Sequence, residues 1–132
     1  MVVMLDLPKP PKLNLQKEKK PRERLFVDTI CKTLEGKGIA YQREVATPVG
    51  YIDVLTDNTL YEAKHWSNIK HAVGQILFYG HYYPRPQYVI IVFAKDDKKD
   101  IIDYTYIGRC MSIIDALGLQ IQIKTKEDFM LL

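Results

Sequence analysis

The sequence predicts an α/β fold, a mixed β-sheet flanked by helices in the order α-β-β-β-α-β-α-β. Residues 87–94 run QYVIIVFA almost without a polar side chain, as a central strand covered on both faces does. Residues 51–56 alternate and are followed by Asp57-Asn58, a turn signal, and then by a second strand-like run at Leu60–His65. Between those strands and the apolar run, Ile69, Ala72, Val73, Ile76 and Leu77 recur at helical spacing. With 132 residues, 47% hydrophobic and 27% charged, the chain has the size and composition of one globular domain.

Taken in order, Pro8, Pro10, Pro11 and Pro21 interrupt the opening segment between lysines, so residues 1–20 read as an extended or mobile arm and residues 21–132 as the domain. A helix begins near Pro21, a residue suited to a first turn; Val27, Ile30 and Leu34 line one face, and Gly36 and Gly38 end it. A short strand follows around Tyr41–Val45. After the hairpin, Ser67 is the expected N-cap of a helix running to about Tyr83, where Pro84 and Pro86 stop it. The run Asp97-Lys98-Lys99-Asp100 reads as a solvated helix start. Ile107, Cys110, Met111 and Ile114 stripe the last helix, Gly118 ends it, and Leu119, Ile121 and Ile123 alternate as a final strand.

Composition narrows the function. No apolar run approaches the length that spans a bilayer, and the N-terminus lacks the apolar core of a signal peptide. The expected setting is therefore cytoplasmic, nucleoid or nuclear, without membrane and not secreted. Cys31 and Cys110 are too few for a disulfide framework or a four-ligand zinc site and read as buried thiols. His65, His71 and His81 show no ligand spacing and read as surface or boundary residues. The net charge of +3 is unevenly spread: residues 1–24 hold seven basic side chains against Asp6, Glu18 and Glu23, a net of +4, which leaves −1 for the rest. A basic arm on a near-neutral body suits a polyanion, because phosphate neutralisation releases counterions; a solvated tail has the same composition.

The chemistry concentrates in Gly50-Tyr51-Ile52-Asp53-Val54 and Tyr61-Glu62-Ala63-Lys64. Alternate strand residues share a face, so Glu62 and Lys64 point one way, and a short hairpin can bring Asp53 to them. Two carboxylates and an ammonium among apolar neighbours are costly to bury, and a divalent cation on the carboxylates offsets that cost. Lys64 can then stabilise charge on a phosphoryl oxygen. An exposed Glu-Lys pair beside a turn Asp is the plain alternative. Glu23 falls on the inward face of the first helix, where a first-turn acid is also favoured by the macrodipole. Gln75 and Tyr79, four apart, share one flank of the second helix and can overlook the hairpin. Tyr79, Tyr82 and Tyr83, near Lys70, Arg85 and Trp66, could stack bases and hold phosphates, or simply pack.

The pattern Asp53 … Glu62-Ala63-Lys64 followed by Gln75-x-x-x-Tyr79 resembles the PD-(D/E)XK nuclease superfamily, over roughly Arg22 to Ala94. The Gln-x-x-x-Tyr element is similar to the extra motif of its RecB-like exonucleases. The resemblance implies a restriction-endonuclease-like fold in which Asp53 and Glu62 bind Mg²⁺ or Mn²⁺, with the Ala63 carbonyl a further ligand. Lys64 is then the catalytic lysine, Glu23 the first-helix acid, and Gln75 and Tyr79 supporting groups. Thr47-Pro48-Val49 precedes Gly50, so the name-giving Pro-Asp pair is absent, and the superfamily includes inactive members.

The expected function is thus a metal-dependent nuclease that hydrolyses phosphodiesters, with DNA the expected substrate. Tyr79, Lys70 and Arg85 on the body and Lys19, Lys20 and Arg22 near the arm are the expected nucleic-acid contacts. A second metal near Glu23 would give a two-ion clamp, and a homodimer would enlarge the small recognition surface. The competing reading is an inactive nucleic-acid-binding or assembly module of the same fold. Removing residues 1–20 should flatten the salt dependence of DNA affinity by about 0.9 of a log unit per lost duplex phosphate contact; an unchanged slope in a salt titration would show that the arm touches no phosphate.

Overall fold

The computed structural model describes residues 21–131. Lys19, Lys20 and the rest of the arm, together with the Arg22 side chain, lie outside the described residues. The chain runs α1 (Pro21–Gly36), β1 (Gln42–Thr47), β2 (Gly50–Leu55), β3 (Thr59–His65), a 3-10 turn (Trp66–Asn68), α2 (Ile69–Tyr82), β4 (Gln87–Phe93), α3 (Tyr104–Ala116), β5 (Ile121–Thr125) and α4 (Lys126–Leu131). The strands form one mixed sheet in sequence order: β1, β2 and β3 pair antiparallel, whereas β3, β4 and β5 pair parallel. Parallel neighbours need crossovers, which α2 and α3 supply. Among the described residues, no helix is long and apolar enough to cross a membrane.

Each face of the sheet has its own core. On one, Phe26, Val27, Ile30 and Leu34 of α1 and Phe129 of α4 pack on Val54, Ala63, Val89, Ile91 and Phe93. On the other, Ile69, Ala72, Ile76 and Tyr79 of α2 and Ile107 of α3 pack on Ile52, Leu60, Ile90 and Val92. Strand β4 therefore sends alternate residues into two dry layers, which is why its sequence carries no polar period.

Three local expectations are corrected. Ser67 does not cap α2: it lies in the 3-10 turn, and Asn68, at the cap position, makes no side-chain cap bond. The Asp97–Asp100 run is not a helix start; α3 begins at Tyr104, where Asp103 accepts from the Tyr106 amide at 3.0 Å. A helix also follows the last strand. Its signal was present in Thr125-x-x-Asp128, since Thr125 Oγ1 accepts from the Asp128 amide at 3.2 Å and two acids occupy the first turn. Cys31 is buried and Cys110 half-buried, both as free thiols.

Gly50 joins the hairpin to α2. Its φ is 147°, and a Cβ there would lie 3.1 Å from the Tyr79 ring, with the hydroxyl closer still. A side chain at Gly50 thus conflicts with both the backbone and the helix above it. Gly50→Ala is expected to lower stability by about 1–3 kcal/mol. Gly74→Ala in mid-helix, where a Cβ meets nothing within 4 Å, should stabilise by about 0.4–1 kcal/mol. Denaturant midpoints of the two variants compare these outcomes directly.

Candidate active site

The hairpin delivers two acids to each other. The β2·β3 ladder holds Leu55 against Leu60 and Val54 against Tyr61, and ends there. Beyond it, side chains take over from backbone: Glu62 Oε2 accepts from the Asp53 amide, and Asp53 Oδ2 accepts from the Ala63 amide, both at 2.8 Å. Asp53 is 1% exposed and Glu62 0%; their other oxygens, Oδ1 and Oε1, are also shielded from solvent. Glu62 and Lys64 pair in register with Ile90 and Val92, which pack under α2, so both side chains share the α2 face. Lys64 is 7% exposed. Two acids and an ammonium are thus nearly withdrawn from water at adjoining sheet positions.

Helix α2 covers this face. It returns from the end of β3 toward the start of β4, with its buried stripe on the sheet. Gln75 lies beside the buried stripe Ile69–Ala72–Ile76–Tyr79, and its Oε1 is buried with no hydrogen-bond partner. The Tyr51 hydroxyl, two residues before Asp53, is likewise buried and unbonded. Such atoms cost free energy unless a ligand or water meets them.

Other expected residues stand elsewhere. Glu23 is half-buried in the first turn of α1. Among the described residues no group of three or more His, Cys, Asp or Glu is placed to hold a metal, so Glu23 does not complete a carboxylate cluster with Asp53 and Glu62. Tyr79 is 6% exposed and packed over Gly50, which leaves no open ring face for a base. Arg85 is tied at the opposite end of β3: its Nε donates to the Thr56 carbonyl at 2.8 Å, one terminal nitrogen to the Pro84 carbonyl at 3.0 Å, and its guanidinium lies 5.9 Å from the Tyr83 ring centroid. Lys70 is exposed on α2.

The donor set fits one kind of metal. Two carboxylates are hard oxygen ligands, and Mg²⁺ is commonly held by one or two carboxylates while keeping several waters. An all-protein cage does not fit, because among the described residues no third acid joins the pair.

A polar cluster absent from the sequence reading fixes the end of β3. His65 Nε2 meets Asp100 Oδ2 at 2.7 Å, and Trp66 Nε1 donates to Asp100 Oδ1 at 3.0 Å. The Ser67 amide donates to His65 Nδ1 at 3.2 Å, and the Ser67 hydroxyl lies 2.7 Å from the same nitrogen. That arrangement has Nδ1 accepting and Nε2 facing the carboxylate as donor. The Lys95 amide also donates to Asp100 Oδ2, so one carboxylate ties the loop after β4 to the strand carrying Lys64. The sequence separation of 35 residues between His65 and Asp100 gave no local signal of this bond.

Burial works against ionisation of Asp100, but the Lys95 amide, His65 and Trp66 outweigh it and hold the carboxyl well down, at about 2 against an ordinary 3.8. A depressed folded-state value stabilises the fold above the unfolded value and loses that contribution as pH falls toward the folded one. Stability contributed by Asp100 should therefore be complete above about pH 4 and decline toward pH 2. Asp100→Ala should lose about 2 kcal/mol at neutral pH, the scale for a charge-assisted bond. The gap from wild type should narrow in unfolding curves recorded between pH 4 and 2.

No family model and no solved structure matches the chain. Three similar proteins come from Acanthamoeba polyphaga mimivirus, and each is named for a KilA-N domain. One is 38% identical over 80 residues, 61% of this chain and 20% of the relative. A second is 52% identical over 42 residues, 32% of this chain and 12% of the relative. The third is 32% identical over 83 residues, 63% of this chain and 30% of its own length. The chain thus spans less than a third of each relative.

Proposed function

We propose that the chain is a metal-dependent nuclease of restriction-endonuclease-like fold, acting on phosphodiesters in DNA. The observation that carries this reading is the withdrawal of Asp53, Glu62 and Lys64 from solvent at adjoining positions of one sheet level. Burying charge is expensive, and clusters of buried ionisable groups concentrate where chemistry needs them.

Asp53 and Glu62 would hold Mg²⁺ or Mn²⁺, each through a carboxylate oriented by its backbone bond. A divalent cation at that position supplies Lewis-acid polarisation and an activated water. The Lys64 ammonium, on the same face as Glu62, lowers the cost of negative charge on the attacked phosphate. Gln75, whose buried carbonyl oxygen is unbonded on the helix that covers this sheet face, would accept from a water or ligand N–H and orient it without changing the charge. The basic arm and Lys70 add sequence-independent attraction for phosphates. Glu23, Tyr79 and Arg85 hold structural positions in this mechanism rather than touching the substrate.

One observation favours a second reading. Each acid already accepts a backbone amide, which is a structural use that an inactive DNA-binding or assembly module of the same fold would retain. Cleavage separates the two. Labelled single-stranded, duplex and branched DNA should be cut with Mg²⁺ or Mn²⁺ and left intact with EDTA. Lys64→Ala should keep DNA affinity while losing ~10²–10³ in rate, the scale for one electrostatic stabiliser. Metal-independent binding with no cutting of any substrate would favour the module.

A further inference from the structure

We propose that Glu44 is a positioning residue whose left-handed backbone, not its carboxylate, delivers Asp53 to Glu62 and Ala63. The inference deepens the nuclease reading by naming what aims its first acid. Glu44 has φ 54°, and among the described residues it is the one non-glycine with a positive φ. For a residue with a Cβ that region is uncommon and held only where the surroundings enforce it.

The flanking pairs Arg43·Val54 and Val45·Ile52 set Glu44 across from Asp53. The pleat inverts at that level. Residues two apart on a strand share a face, yet Val54 packs in the α1 layer and Ile52 in the α2 layer. Their partners divide the same way: Arg43 pairs with Asp28 of α1 at 2.6 Å, while Val45 packs against the α2 layer. Both strands therefore turn over between the two pairs, at Glu44 and Asp53.

The inversion accounts for three otherwise separate features. It turns the distal hairpin toward α2, where Gly50 receives the Tyr79 ring. It coincides with the point where the β2·β3 ladder ends, just past Val54·Tyr61. It also leaves the amides of Asp53 and Ala63 to be met by the two carboxylates. Neither strand has a glycine at this level, so the non-glycine Glu44 carries the left-handed turn. Its side chain is exposed, which makes the backbone the part that matters.

The test is a substitution series in the full chain, read by cleavage and by hydrogen exchange of the Ala63 amide. Glu44→Gly and Glu44→Asn, which accept positive φ, should keep the wild-type rate and Ala63 protection. Glu44→Val should lower kcat by about 10²-fold, the scale for a misplacement near 1 Å, leave DNA affinity unchanged, and speed Ala63 exchange. Glu44→Ala gives the same comparison with less crowding if the valine variant does not fold. Equal damage from Gly and Val would assign the role to the carboxylate and overturn the proposal, as would normal Ala63 protection in the Val and Ala variants. Because exchange is read without substrate or metal, it decides the positioning role even if the wild-type protein cuts no DNA.

Discussion

Two hydrogen bonds, from the Asp53 amide to Glu62 and from the Ala63 amide to Asp53, are the constraint around which the molecule is arranged. Where strands part inside a protein, their amides lose ladder partners, and a buried unsatisfied amide costs about 1–3 kcal/mol. Carboxylates are among the strongest acceptors available, and bonds to an ionised group are about twice as strong as neutral ones. The acids let β2 leave β3 within the core while keeping the backbone satisfied. The separation in turn sets two acids side by side under α2. Structure and proposed chemistry draw on the same four atoms' worth of carboxylate, with one oxygen of each acid bonded to backbone and the other turned inward.

Around that pair the two cores hold complementary parts. The α1 layer packs the base of the hairpin, through Val54 and the Arg43–Asp28 ion pair. The α2 layer packs its distal half, through Val45, Ile52 and the Tyr79–Gly50 contact. Asp53 sits at the boundary between the two, so a shift of either layer changes the aim of its side chain. Lys64 is fixed from the other end, where Asp100 gathers His65, Trp66 and the Lys95 amide. Under the proposed function, the metal-holding acids and the charge-stabilising lysine are thereby anchored by separate elements, which is how precise spacing is kept in a small domain.

Residue type and period made much of this legible. The Val27–Ile30–Leu34 stripe, the alternation across Asp57-Asn58 and the unbroken run of β4 each encode burial locally, and the structure places them accordingly. The acid–acid–lysine set was visible for the same reason: charges at strand spacing among apolar neighbours stand out in one dimension. Arg85 and Tyr79 show that chemistry alone does not say which way a versatile side chain is used. A guanidinium serves a turn carbonyl as well as a phosphate, and a tyrosine ring fills a glycine's hollow as well as it stacks a base. Ser67 misled because a preferred cap type was read without the competing imidazole of His65.

What the sequence determined by itself is therefore local: where apolar faces recur, where turns fall, and which ionisable groups sit on strands that must be buried. Only the tertiary structure decided the Asp100 anchor, the inversion at Glu44, the exclusion of Glu23 from the acid pair, and the exchange of carboxylates for ladder bonds. These depend on pairings between residues distant along the chain, or on a backbone conformation set by packing on both sides. Hydrophobic period reports how one residue relates to its near neighbours; the direction of Asp53 depends on two layers that meet only after the chain has folded.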